Sequence, residues 1–110
     1  MSSDGLSAIE HLKRVMALAE RLAPRGIAIY EHSYYLMAFG SWTIIAGRRT
    51  KRHRFSWDGR DEFLEVSVSE HDSSAVPARW SHIRTEHIKA RDLTIPFQFV
   101  AEYMEREYPA

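Results

Sequence analysis

The chain has no cysteine. That excludes a disulfide framework, thiolate nucleophiles and cysteine-ligated metals. Net charge is also missing: 15 Lys and Arg balance 15 Asp and Glu. The whole molecule therefore has no field to draw it to nucleic acid or anionic lipid. Glycines number only five and are scattered, so no Gly-rich phosphate loop is present. No apolar run approaches the roughly 20 residues of a membrane helix, and no internal repeat or low-complexity tract occurs. The N-terminal segment is amphipathic, which is not the pattern of a secretory leader. A cytoplasmic location and no membrane partner are expected.

What is present describes a folded globule. The chain has 110 residues, 45% of them hydrophobic, with three Trp. That is enough for one domain with its own core, spanning residues 1–110. Met1 to Gly5 reads as frayed, and His71 to Arg79, with Asp72, Ser73, Ser74 and Pro77, reads as a mobile loop.

The organising stretch is Tyr34 to Ser69, which reads as an antiparallel meander of four strands. Asp58-Gly59 between two alternating runs is a hairpin signal, because Gly accepts positive φ. Directly opposed residues share a face, so loops of even length keep apolar residues together. Taking Gly40-Ser41, Gly47 to Thr50 and Asp58 to Asp61 as even turns predicts one inner face. It would hold Met37, Phe39, Trp42, Ile44, Phe55, Trp57, Leu64, Val66 and Val68. The same register pairs Phe55 with Leu64, Ile44 with His53, and Arg54 with Glu65.

Helices flank this meander. Ser7-Ala8-Ile9-Glu10 matches a capping box, followed by Ile9, Leu12, Val15, Met16, Ala19 and Leu22 at helical spacing. Pro24 and Gly26 close that helix. Ile27 to Tyr30 reads as a further strand with Glu31-His32-Ser33 as a turn. Trp80 to Leu93 fits a helix loosely, or a short strand and a turn. Thr94-Ile95-Pro96 opens a final helix with the stripe Phe97, Val100, Ala101 and Met104. The fold class is therefore α+β: an antiparallel meander of four to five strands with both terminal helices on one face. No motif ties the chain to a known family, and architecture alone does not carry function.

Three clusters stand out as possible sites. Tyr34, Leu36, Ala38 and Ile45 are expected on the outer sheet face, an apolar patch of the kind that marks an interaction surface. Arg48, Arg49, Lys51, Arg52 and Arg54 are a possible anion or nucleic-acid contact, although neighbouring acids can meet much of that charge. His71, His82 and His87 have the residue type for a metal but not the spacing of the helical zinc motif. His53 falls on the inner face, where a core role outweighs that of a general base. No nucleophile elbow is present, so no catalytic residue is assigned and no cofactor is expected. The reading is a small non-catalytic binding or interaction protein, homodimeric through the outer face or bound to another protein. The alternatives are a nucleic-acid or phosphate-ligand binder using the basic stretch, and a His-dependent enzyme or metal-binding protein.

Overall fold

The computed structural model describes residues 3–70, 79–89 and 92–109. Helix α1 (Ser3–Leu22) precedes strands β1 (Ala28–Tyr35), β2 (Ser41–Arg48), β3 (Lys51–Asp58), β4 (Phe63–Glu70) and β5 (Ser81–His87), and helix α2 (Ile95–Glu107) follows. The strands form one five-stranded sheet in sequence order, each pair antiparallel. Val15, Leu18 and Leu22 of α1 and Phe97, Val100, Ala101 and Met104 of α2 share a core with Trp42, Ile44, Phe55, Trp57, Leu64 and Val66. Both helices thus lie on one face of an α+β meander, as the sequence pattern implies.

The inner face survives while the pairing slides. Phe55 is opposite Val66 and Trp57 opposite Leu64, around a turn from Gly59 to Glu62. Asp58 stays in the strand because its Oδ1 accepts the amides of Arg60 and Asp61, each at 2.9 Å. That side-chain cap moves the bend one residue downstream. Trp42 is opposite Trp57 and Ile44 opposite Phe55, so Arg49-Thr50 is a two-residue turn. Arg49 allows it by adopting a left-handed φ of 59°. Both registers move by an even step, which preserves the faces. Arg54 now meets Ser67 and Ser56 meets Glu65, so the expected Arg54–Glu65 pair does not form.

The first hairpin departs further. The segment Ile27 to Tyr30, the supposed turn at Glu31-His32-Ser33 and Tyr34-Tyr35 belong largely to one strand, β1, not to two. Leu36–Ala38 is a single 3-10 turn rather than strand. Phe39 and Gly40 follow with left-handed φ of 59° and 71°, and Ser41 Oγ donates to Ala38 O at 2.6 Å. Tyr35 pairs with Ser41, so the connection Leu36 to Gly40 has five residues, an odd number. Parity therefore inverts. Tyr34 is opposite Trp42 and packs on the core, whereas Met37 and Phe39 are 94% and 68% exposed.

Within Trp80 to Leu93, Ser81–His87 is a strand; residues 90 and 91 lie outside the described residues. β5 pairs with β4, with a register shift between Val66 and Ser67. The N-terminal helix is helical from Ser3, ahead of the Ser7 capping box, and it is rotated from the expected stripe. His11, Val15, Leu18 and Leu22 are buried, while Ile9, Leu12 and Met16 are 49%, 48% and 62% exposed. The buried flank packs into the core shared with the sheet and α2. Arg21 grips Glu105 with two bonds, Nε to Oε2 at 2.9 Å and Nη2 to Oε1 at 2.7 Å. This leaves the Ile9–Leu12–Met16 flank turned away from α2. The expected loop, His71 to Arg79, lies outside the described residues apart from Arg79.

Candidate functional site

The odd hairpin builds a cleft at one end of the molecule. Tyr34 enters the inner face beside Trp42, and α1 lays His11 against both. The His11 and Tyr34 rings stack at 4.4 Å, 24° apart. Phe97, in the first turn of α2, meets His11 edge-on at 5.7 Å and Trp42 at 4.6 Å. Phe39 projects from the left-handed turn. Together with Trp57, Leu93, Gly40, Ser7, Glu10 and Arg14 these groups line a half-open cleft of about 270 Å³. Phe39 and Leu93 are exposed large apolar side chains on that lining.

The Phe39 turn is held from a distant part of the chain. Gly59, at the start of the β3–β4 turn, has no left-handed φ. It is glycine for another reason: a Cβ there would collide with the Phe39 carbonyl oxygen. The Gly59 amide donates to Ser41 Oγ at 2.9 Å, the same hydroxyl that donates to Ala38 O. Two hairpin tips are thereby docked backbone to backbone, and Phe39 is fixed over the cleft.

Electrostatically the cleft is uneven. His11 is 2% exposed, and its Nε2 is buried with no hydrogen-bond partner. Burial pushes its pKa down to about 4, with His32 and Arg14 adding to the fall. The imidazole is therefore neutral at pH 7. Glu10 is exposed and pairs with Lys13 at 3.7 Å on the outside of the helix. Arg14 is half-buried. Among the described residues, no hydrogen bond or ion pair engages it. Nearby Asp92 instead accepts the Thr94 amide at 2.9 Å.

A second buried histidine lies at the other end of the core. His53 is fully buried. Its Nδ1 lies 3.2 Å from the Tyr108 hydroxyl, and its Nε2 is 3.8 Å from Glu107 Oε1. Burial again lowers its pKa to about 4, Lys51 adds to the fall, and Glu107 opposes it. With Tyr103 edge-on at 5.5 Å and Tyr108 at 5.7 Å, this ring is sealed beneath α2.

The sequence-derived clusters are dispersed. Tyr34 is on the inner face, Leu36 and Ala38 are in the 3-10 turn, and Ile45 is on the outer face opposite Glu31. These four residues do not form one patch. The basic stretch divides between faces. Arg48 and Lys51 lie over the Tyr108 ring at 5.0 and 5.9 Å. Arg52 stacks on Tyr30 at 3.6 Å and reaches the Arg49 carbonyl; Arg54 stacks on Trp80 at 4.7 Å. Arg49 occupies the turn between β2 and β3. Trp57, the expected inward ring, is 4% exposed. On β5, His82 Nε2 lies 2.9 Å from Thr85 Oγ1, and His87 is opposite Phe63. His71 lies outside the described residues. Among the described residues no group of three or more His, Asp or Glu is placed to hold a metal.

The sequence reading missed the cleft. Its signals were His11 on the buried helix face, between apolar neighbours, and the odd loop after Tyr35. Comparison with protein-family models, curated proteins and solved structures finds no match.

Proposed function

We propose that the protein binds a small ring-bearing organic molecule in the cleft beside His11. The observation that carries this reading is the cleft itself: Tyr34, Phe39, Trp42, Trp57 and Phe97 line one concavity. Aromatic walls with a few convergent polar groups are the usual composition of small-molecule sites. The volume, about 270 Å³, lies just below the roughly 300–1,000 Å³ of drug-sized pockets, so the ligand has one or two rings. The sealed His53 offers no comparable access. The reading is binding rather than catalysis.

The test is an amide-resolved NMR titration with small neutral, acidic and basic ring compounds. Shifts should concentrate at His11, Tyr34, Gly40, Trp42 and Phe97. Phe39→Ala, which removes an exposed ring at the rim, should weaken binding several-fold without loss of fold. A panel that leaves those amides unmoved overturns the reading.

A second reading rests on a different surface. Ile9, Leu12 and Met16 form an exposed apolar stripe on α1, and Met37 is also exposed. Such a stripe suits association with a second copy or another protein. Light scattering at micromolar concentration tests it: a dimer that becomes monomeric in Leu12→Asp supports it, and a wild-type monomer removes the homodimer.

A further inference from the structure

We infer that the ligand of this cleft carries an acidic group that pairs with Arg14. The inference rests on the proposed small-molecule site and names its ligand class as a flat organic anion, a ring with a carboxylate or similar acid attached. Three observations lead there.

The first is how the local cations are used. Arg21, two turns along α1, is committed to Glu105 through the Nε–Nη2 edge of its guanidinium. Arg25 donates to the Glu105 and Tyr108 carbonyls, each at 3.3 Å. Arg14 is the cation on the cleft lining, and among the described residues no carboxylate lies within ion-pair distance of it. A half-buried guanidinium with its planar donor fork open is suited to a bidentate carboxylate.

The second is how the local acids are used. Glu10 lines the cleft, but it is exposed and shares its charge with Lys13 at 3.7 Å. Asp92 is not on the lining: its Oδ1 accepts the Thr94 amide, and its carboxylate feels the Arg14 charge from beyond ion-pair distance. An aromatic cage for an ammonium group would also place that charge beside Arg14, against its repulsion.

The third is the floor. His11 is neutral, 2% exposed and stacked on Tyr34, so it backs the aromatic wall without adding charge of either sign. Rings fill the cleft against Tyr34, Trp42 and Phe97, and the acid sits at the Arg14 side of the mouth.

Three matched probes separate the possibilities: 1-naphthoate, 1-naphthamide and 1-naphthylmethylammonium, titrated by calorimetry and NMR at low and at physiological salt. The naphthoate should bind at least about tenfold more tightly than the amide, as one charge-assisted contact implies. Arg14→Gln should remove that advantage and change the amide affinity less than about twofold. Arg14→Lys, which keeps the charge but loses the fork, should recover only part of it. Equal binding of acid and amide, or preference for the ammonium, overturns the anion inference and leaves the ring-binding site standing. No binding by any of the three probes overturns both.

Discussion

The two buried histidines occupy opposite ends of the same helix–sheet layer. Burial holds both near a pKa of 4. Their surroundings differ. His53 is enclosed by Tyr103, Tyr108 and Phe55, and its Nδ1 is bonded to the Tyr108 hydroxyl. Each ring leaves its Nε2 without a hydrogen-bond partner among the described residues, but His11 is stacked on the Tyr34 ring rather than bonded to a tyrosine hydroxyl, and its neighbours open into a cleft. The same residue type thus serves a closed core at one end and an accessible concavity at the other. What separates the two ends is the covering element. The C-terminal residues of α2 cap His53, while the first turn of α2 and the five-residue connection after β1 cover His11 but leave a cleft beside it.

The largest effect should come from breaking the closed end. His53→Ala removes a fully buried ring and its bond to the Tyr108 hydroxyl. It should cost roughly 2–4 kcal/mol in urea unfolding, and NMR shifts of the cleft residues in the folded fraction should change little. The next effect concerns both ends together. A histidine whose folded pKa lies below its unfolded value of 6.5 favours the native state while neutral. Its contribution is complete above about pH 6.5 and is lost as pH falls towards 4, because the unfolded chain then binds more protons. Each histidine should contribute a slope of up to about 1.4 kcal/mol per pH unit in that window. Urea midpoints measured from pH 7 to 4.5 check this, and the slope should halve in a folded single-histidine variant such as His11→Phe.

That variant also sharpens the comparison at pH 7. Phe keeps the stack on Tyr34 and removes an unsatisfied polar atom, so His11→Phe should be neutral or stabilising by up to about 1 kcal/mol. The same substitution at His53 discards the Tyr108 bond and should destabilise; equal costs at the two sites would erase the distinction drawn between them. The smallest effect should be at the Arg21–Glu105 pair that joins the helices. It is partly exposed, and Arg21→Ala should cost only about 0.5 kcal/mol, less at high salt.

Much of the sheet was legible in the residues because alternation is a strong constraint. Phe55, Trp57, Leu64 and Val66 share a face in any register that differs by an even step, and a two-residue slide left that conclusion intact. The first hairpin was not legible, because its geometry depends on a non-glycine residue, Phe39, taking a left-handed φ. Aromatic residues rarely adopt that conformation, so Gly40-Ser41 was the natural place to bend the chain. The cleft went unread with it: Tyr34 was assigned to the outer surface, and His11 was not part of the expected apolar stripe of α1. Helix rotation was obscured because Ile9, Leu12 and Met16 make as good a stripe as the one the sheet selected. The basic stretch was expected to have much of its charge met by acids nearby in the sequence, whereas its Arg48, Lys51, Arg52 and Arg54 lie over aromatic rings. Its ring partners Tyr30, Trp80 and Tyr108 come from distant parts of the chain, and spacing along the sequence does not reveal them.

Gly59 sits where the carbonyl of Phe39 leaves no room for a side chain. Any other amino acid there would have to push the first hairpin tip aside, and the wall of the cleft would move with it. The shape of the rim is thus governed in part from a position some twenty residues away in sequence.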